Sequence, residues 1–301
     1  HTPKANFVEA VDLPCLVLGL GAQAPRLGHD IKLKEGSERW LRAVAERSHL
    51  IGVRGNYTAE VLARLGIENT VVIGCPSNFI NPSPTLGEVI EEKLLNTAPQ
   101  NLIITAGSPY KSRLKLVEWK LLSWLRKYKG AYVCQAPQEQ VSLALNRENE
   151  IAREILNKYR RLIQPNNLTY FQPYSNFITF VKQYFRVFFD VSAWLEFLSG
   201  FDFSIGTRMH GNLLATQAST PGICIYHDSR TQELCKITSI PHVSINKFLT
   251  ARNIQHVVEL ASFDGRVFDK KRAKYASEYR NLFLKSGISI STDLETLVKA
   301  G

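Results

Sequence analysis

The sequence lacks any apolar run near the roughly 20 residues that a membrane-spanning helix requires. The segment His1 to Val11 does not resemble a secretory signal, because it contains no charged segment followed by an apolar one. The 301 residues of the chain, 45% hydrophobic and 21% charged, are typical of a globular protein with one large or two medium domains. We therefore expect a cytoplasmic protein. Because the chain begins without methionine, we also expect its first domain to be incomplete.

Cysteine is scarce, and no two cysteines form a CxxC pair. Cys15, Cys134 and Cys224 lie in apolar, strand-like runs, and five cysteines scattered in this way predict buried free thiols in a reducing compartment. Cys75 lies in the loop-like segment Gly74-Cys75-Pro76-Ser77. It is either a nucleophile or a structural cysteine, and we favour the structural role.

Several functional motifs are also absent. No HExxH or similar histidine spacing occurs, so no metal site is predicted, and no GxSxG elbow of a serine hydrolase occurs. The net charge of +10 favours anionic partners, but without an RNP, zinc-finger or helix-turn-helix signature we expect no nucleic acid partner. Leu18-Gly19-Leu20-Gly21 is only half of a dinucleotide fingerprint, so we expect no cofactor, although Gly21 can bring the backbone close to a substrate.

Short apolar runs alternate with amphipathic helical runs along the whole chain, which predicts an α/β fold with parallel sheets. Residues 81–98, a turn-rich stretch followed by a polar helix, are interpreted as a linker. We therefore predict two Rossmann-like, doubly wound domains at 1–95 and 96–301, facing a cleft, with a late helix returning toward the first domain. The predicted strands are 13–18, 49–53, 70–73, 101–105, 131–134, 169–172, 186–189, 203–205 and 222–226. The predicted helices are 38–45, 57–65, 86–95, 113–127, 143–161, 192–199, 211–217 and 262–283.

The loop after the strand 203–205 has the strongest functional signal. Gly206 and Gly211 allow a tight turn and a close approach to a ligand, and the guanidinium of Arg208 with helix amides suits a phosphate or carboxylate. His210 is placed to transfer a proton. The alternative is that Arg208 forms an ion pair and His210 caps the helix. Together with Thr207 and Asn212, these residues form the first predicted binding loop.

The next strand end carries a second candidate loop, which begins at His227. Asp228 or Ser229 can cap the following helix, and Arg230 in its first turn can bind an anion that offsets the unfavourable helix dipole. A capped surface turn with Arg230 in water is equally compatible with the sequence. Arg54, after the strand 49–53, is likewise either a substrate clamp or a structural ion-pair residue.

The aromatic stretch 177–189 has three interpretations. Core packing is the commonest cause of such a stripe, and it is the one we favour. Alternatively, the stretch contacts a membrane interface or stacks against sugar rings. A peripheral contact with the inner face of the membrane is therefore kept as a hypothesis.

Three segments resemble the polysaccharide pyruvyl transferase family: VRGNYTAEVLARLGI, GCPSNF and FDFSIGTRMHGNLLATQASTPGICIYHDSRTQEL. The resemblance covers about residues 13–80 and 185–245, and GTRMHG is its specific part. It implies two Rossmann-like domains similar to the GT-B architecture. It also implies transfer of a pyruvyl group from phosphoenolpyruvate to a sugar of a cell-surface glycan or its lipid-linked precursor, forming a ketal. By residue type, the family's RxH element is Arg208 and His210.

The chemistry of ketal formation agrees with the residues. The methylene carbon of the donor must receive a proton, for which His210 is the candidate, and the donor's phosphate and carboxylate need cations, for which Arg208 and Arg230 are candidates. The sequence identifies no base for the sugar hydroxyls, and Asp228 is only a guess. Many family members have Tyr-Asp-x-Lys where this chain has His227-Asp228-Ser229-Arg230, and they begin with NxGD and GGG elements that are absent here.

Two other functions remain open. A glycosyltransferase on the same frame would bind a nucleotide sugar, whose diphosphate also suits Arg208 and the helix amides. A glycan-binding relative that kept the fold without turnover is the non-enzymatic alternative. The oligomeric state, the acceptor sugar and its linkage cannot be read from the sequence.

Overall fold

A computed structural model describes residues 1–301 except 25–27, 97, 109–111 and 164–172, and the side chains of 112 and 113 are also left out. The described helices are α1 (Thr2–Val11), α2 (Glu35–Glu46), α3 (Asn56–Ala63), α4 (Leu86–Asn96), α5 (Ser112–Lys127), α6 (Gln138–Ala144), α7 (Arg153–Ile163), α8 (Tyr174–Tyr184), α9 (Val191–Ser199), α10 (Met209–Gln217), α11 (Ser229–Thr238), α12 (Ile245–Thr250), α13 (Ile254–Leu260), α14 (Gly265–Lys285) and α15 (Thr292–Lys299). The described strands are β1 (Val17–Leu20), β2 (Ile51–Val53), β3 (Thr70–Val72), β4 (Asn101–Thr105), β5 (Lys129–Val133), β6 (Phe185–Arg186), β7 (Phe203–Gly206), β8 (Gly222–Tyr226) and β9 (His242–Ser244).

The chain forms two compact units. The first contains residues 1–88, 227–239 and 264–301, and the second contains residues 89–226 and 240–263. This division differs from the predicted domains 1–95 and 96–301, because α11, α14 and α15 pack with the N-terminal residues. The sequence analysis expected the late helix 262–283 to return toward the first domain, but it did not expect the segment 227–239 to do so.

The first unit is built on a parallel three-stranded sheet in the order β1-β2-β3. One apolar cluster joins Leu41 and Val44 of α2 to Ile51 and Leu62. A second cluster joins Ile73 to apolar side chains of α14 and α15. The sheet is therefore covered on both faces, as apolar parallel strands require.

The second unit contains a parallel six-stranded sheet in the order β6-β5-β4-β7-β8-β9. In chain order within the unit this is 3-2-1-4-5-6, the order of the Rossmann fold. The strand order reverses between β4 and β7, which are hydrogen-bonded neighbours. In such sheets, ligands bind beyond the carboxyl ends of the strands at this reversal.

Several predicted elements have different bounds. The predicted helix 143–161 is wrong as a single element: α6 ends before Asn146, whose φ of 57° is left-handed, and α7 begins at Arg153. The predicted strand 13–18 is displaced to β1, and the predicted strand 186–189 is displaced and shortened to β6, because only the residues of β1 and β6 pair with a neighbouring strand. The predicted strand 169–172 lies outside the described residues.

Candidate active site

The predicted loop 206–212 lies at the strand-order reversal of the second unit. It connects β7 to α10, and the neighbouring strand β4 ends at Thr105. A Cβ atom on Gly206 would lie 2.2 Å from the carbonyl oxygen of Thr105, and one on Gly211 would lie 2.7 Å from the Thr105 Cγ2 atom. Both glycines are therefore required by the close approach of α10 and β7 to β4.

Asn212 is buried inside this loop and fixes its shape. Its Nδ2 atom donates to the Thr105 hydroxyl at 3.0 Å and to the carbonyl of Gly206 at 3.0 Å. Its Oδ1 atom accepts from the Ser204 hydroxyl at 3.2 Å. The Asn212 side chain thus holds the loop in place and is fully used by protein partners.

Arg208 is the N-cap residue of α10 and is half-buried. Its Nε atom donates to the carbonyl of Ala106 at 3.1 Å, and its Nη2 atom donates to the carbonyl of Ala136 at 2.6 Å. These carbonyls follow β4, which is the neighbour of β7, and β5, which is the next strand beyond β4, so the guanidinium reaches past the carboxyl ends of both strands. Nη1 takes part in neither bond. Among the described residues, Arg208 forms no ion pair within 4.0 Å, contrary to the structural alternative raised from the sequence.

His210 is the second residue of α10 and is half-buried. Helix α10 has no acidic residue in its first turn, and its N-terminal end carries Arg208 and His210 instead. The positive end of the helix dipole disfavours cations at this place and favours an anionic ligand. Arg208 and His210 therefore stand on one helix end whose electrostatics suit a phosphate or carboxylate.

Glu118 lies beneath the strand ends and was not anticipated from the sequence. This fully buried carboxylate accepts hydrogen bonds from the Gly107 amide at 2.8 Å and from the Tyr132 hydroxyl at 2.6 Å. Burial raises the pKa of Glu118 to about 7, against the opposing effects of these two bonds and of the charge of Arg208. The signal was present in α5, where Glu118 occupies a position in an otherwise apolar buried stripe: Leu114, Val117, Leu121, Leu122 and Leu125.

The glycine and threonine next to Glu118 are equally constrained. A Cβ atom on Gly107 would lie 2.1 Å from Glu118 Oε1 and 2.2 Å from the Thr207 hydroxyl oxygen. Thr207 is buried, and its hydroxyl lies close enough to the Glu118 carboxylate to lower the pKa of that group. Glu118 therefore organises the turns after both β4 and β7.

The second predicted loop lies in the first unit, where Asp228 caps α11. Its Oδ1 atom accepts from the Thr231 amide at 2.8 Å, and its Oδ2 atom accepts from the Gln23 side chain at 2.9 Å. The Oδ2 atom also lies 3.5 Å from His227 Nε2. Burial opposes ionisation of Asp228, but the bonds from Thr231 outweigh it and lower its pKa. A carboxylate that is engaged in this way and has a lowered pKa is a poor general base.

Arg54 follows β2 and lies against the glycine turns of the first unit. A Cβ atom on Gly21 would lie 3.0 Å from Arg54 Cδ, so Gly21 leaves room for this side chain. Cys75 is buried, and its thiol lies 2.9 Å from the Ser77 hydroxyl. Helix α3 has Gly55 as its N-cap, which offers no side chain, and the Glu233 carboxylate accepts from the Tyr57 amide and the Thr58 hydroxyl instead.

The aromatic stretch 177–189 supplies packing residues to the second unit. Phe177 and Phe185 are buried, and the Phe185 ring stacks on Tyr132 with centroids 4.7 Å apart. Phe189 is 81% exposed at the end of the stretch.

Within the described residues, no helix is long and apolar enough to cross a bilayer. No group of three or more potential metal ligands was found in the same part of the chain.

The fold and this site define an α/β protein with Rossmann-type strand order and a cationic helix end at the strand-order reversal. A family model described as polysaccharide pyruvyl transferase matches residues 4–229. The chain belongs to this family, and it is an enzyme of that type. No curated protein sequence matches the chain. The matched range includes the loop 206–212 and ends at Ser229.

Proposed function

We propose that this enzyme transfers the pyruvyl group of phosphoenolpyruvate to a sugar of a cell-surface polysaccharide or its precursor and forms a ketal. The family supports pyruvyl transfer and a polysaccharide acceptor. The observation that carries the choice of donor is the pairing of Arg208 and His210 on one helix end at the strand-order reversal. Phosphoenolpyruvate presents a carboxylate, a phosphate and a carbon that must be protonated, and these two side chains match those needs.

In the proposed reaction, His210 gives a proton to the methylene carbon of the donor, and C2 becomes electrophilic. One sugar hydroxyl adds to C2, phosphate leaves, and a second hydroxyl of the same sugar adds, giving the ketal. Of the two hydroxyl protons released, one replaces the proton that His210 gave and the other is taken up by the departing phosphate, so the products are the pyruvylated sugar and inorganic phosphate. Arg208 and the amides of α10 hold the anionic donor while its charge changes.

The other candidate residues take binding roles in this proposal. Gly206, Thr207, Gly211 and Asn212 shape the donor loop of the second unit. The predicted substrate contacts of the first unit, Gly21, Arg54, His227, Asp228 and Arg230, stay predictions. Asp228 is not proposed as the base, because its oxygens are already used by Thr231 and Gln23. The GT-B architecture, the cytoplasmic location and the contact with a membrane surface stay predictions.

The test is turnover with phosphoenolpyruvate and a bacterial-type surface glycan acceptor. Phosphate release should be accompanied by a ketal methyl signal in the NMR spectrum of the glycan. His210→Ala should lower kcat by about 100-fold or more, the usual scale for a general acid. His49→Ala, at an exposed position on unit 1, is the matched control and should retain full activity. Full activity of the His210→Ala enzyme would remove His210 as the proton donor.

A nucleotide sugar is the second candidate donor, because the strand order of the second unit is that of nucleotide-binding sheets. Calorimetric titration with phosphoenolpyruvate and with a panel of nucleotide sugars separates the two. Binding of a nucleotide sugar without binding of phosphoenolpyruvate would replace the proposed donor.

A further inference from the structure

Arg54 and Arg230 lie in neighbouring turns of the first unit and have no carboxylate to neutralise them. Hydrogen bonds of Ser229 with Ala24 and of Glu233 with the Tyr57 amide hold the first turn of α11, which carries Arg230, beside the end of β2, which Arg54 follows. Burial, and to a smaller extent the positive charge of Arg230, lowers the pKa of Arg54. Neither arginine forms an ion pair within 4.0 Å among the described residues. Two like charges in a half-buried place are unfavourable unless an anion is bound there.

The carboxylates of this region are already engaged by other donors. Asp228 binds the Thr231 amide and Gln23, as described above. Glu233 binds the Tyr57 amide and the Thr58 hydroxyl at the start of α3. Neither can neutralise an arginine without giving up a helix cap, so these two carboxylates are not available to Arg54 and Arg230.

Two buried donors beside these charges have no acceptor. The Nε atom of Arg54 has no hydrogen-bond partner in the described part of the chain, and neither has the hydroxyl of Tyr279. Tyr279 is only 1% exposed, and its hydroxyl is close enough to Arg54 and Cys75 for their charges to affect its pKa. Buried polar atoms of native proteins nearly always have partners.

Packing holds Tyr279 in place. Its ring meets Phe79 edge-on with centroids 4.9 Å apart, and it belongs to the apolar cluster of α14 and α15. A Cβ atom on Gly19 of β1 would lie 3.5 Å from the carbonyl oxygen of Gly74, whose φ is 74°, and 3.7 Å from Arg54 Nε. The Arg54 side chain is thus held between rigid backbone turns.

We propose that Arg54, Arg230 and the Tyr279 hydroxyl form a binding site for a phosphoryl group within the first unit. Two guanidinium groups and a phenol supply two positive charges and several donors, which suits the charge and the tetrahedral oxygens of a phosphate better than a single carboxylate. The source of the phosphoryl group rests on the proposed function. It is either the phosphate of the donor or the diphosphate of a lipid-linked acceptor.

The test is calorimetric titration of the full chain with three probes: inorganic pyrophosphate, phosphoenolpyruvate and a short-chain prenyl diphosphate sugar. The variants are Arg54→Gln and Tyr279→Phe. Arg42→Gln is the matched control, because Arg42 is an exposed arginine of the same unit paired with Glu38. We expect Arg54→Gln and Tyr279→Phe each to raise Kd by about tenfold or more for at least one probe, while Arg42→Gln leaves Kd unchanged.

The probes distinguish the sources of the ligand. Weakened binding of phosphoenolpyruvate alone assigns the site to the donor, and weakened binding of the prenyl diphosphate sugar alone assigns it to the acceptor. Pyrophosphate binding that depends on Arg54 upholds the site even if phosphoenolpyruvate is not a substrate, so the two proposals can fail separately. Tyr279→Phe removes only a hydroxyl without a partner, so its thermal midpoint should match the wild type. Wild-type affinity of both variants for all three probes, or no binding of any probe, would overturn the site.

Discussion

At the residue scale, Glu118 combines complete burial with a place directly under the candidate active site. Its carboxylate accepts from Gly107 and Tyr132, and its charge lies near Arg208. Glu118→Ala removes the carboxylate and leaves these donors without an acceptor. We expect this to lower the free energy of unfolding by about 1–3 kcal/mol for each donor. Glu118 is therefore a positioning residue for the turns on which Gly107 and Thr207 lie.

Glu118 also makes stability depend on pH. Its pKa is about 7 in the folded protein against 4.5 for an ordinary glutamate, so between these values the folded state binds the proton more tightly than the unfolded state. The proton on Glu118 thus stabilises the folded state. This contribution to the free energy of unfolding is complete below about pH 4.5 and is lost as pH rises through about 7. We expect Glu118→Gln to abolish this part of the pH dependence, whose slope is at most about 1.4 kcal/mol per pH unit.

Urea denaturation at several pH values between 5 and 8 measures this effect as the difference in the free energy of unfolding between Glu118→Gln and the wild type. Glu196→Gln, an exposed carboxylate on α9, is the control and should follow the wild-type curve. A Glu118→Gln curve parallel to the wild type across the whole range would show that Glu118 does not titrate there.

At the element scale, the contact of β7 with β4 depends on the absence of a side chain at Gly206. A Cβ atom there would overlap the carbonyl oxygen of Thr105, which is main chain and cannot move without disturbing the sheet. We expect Gly206→Ala to lower the free energy of unfolding by about 1–3 kcal/mol or more. Gly200→Ala is the matched control, because its Cβ would meet only Phe197 O, at an ordinary 3.6 Å. Equal stability of the two variants in chemical denaturation would contradict this account of the loop.

The strands of the second unit show how far local pattern predicts structure. The bounds of β4 and β8 are those expected from the sequence, because each is a continuous apolar run between polar or turn residues. Helix α8 was not assigned, because its aromatic residues suit several kinds of element. The break at Asn146 depends on one left-handed residue, which periodicity does not detect.

The candidate site was predictable only in part, because the sequence pattern reports local features and not contacts between distant residues. The loop 206–212 follows from a buried strand, two glycines and a helix, all of which are local features. Two other contacts join residues more than 170 positions apart: Glu233 caps α3, and Tyr279 lies beside Arg54. No local sequence pattern encodes such pairs. Glu118 was detectable as a charged residue in an apolar helical stripe, but its partners were not.

At the scale of the whole molecule, the chain builds each unit from separated segments. Helices α14 and α15 cover one face of the β1–β3 sheet, and without them Ile73 and its neighbours would be exposed. The cost of exposing apolar surface explains why the last 38 residues return to the N-terminal unit. The net charge of +10 agrees with an enzyme whose substrates are anionic.

The central claim is that the guanidinium of Arg208 binds the anionic donor. Calorimetric titration of phosphoenolpyruvate into the wild type and Arg208→Ala tests it most directly. Arg186→Ala is the matched control, because the Arg186 guanidinium also donates to main-chain carbonyls of the second unit, those of Phe185 and Gln183. The account predicts that Arg208→Ala weakens binding by about 1.5–3 kcal/mol, roughly 10- to 150-fold, while Arg186→Ala binds as the wild type does. Equal affinity of Arg208→Ala and the wild type would contradict it.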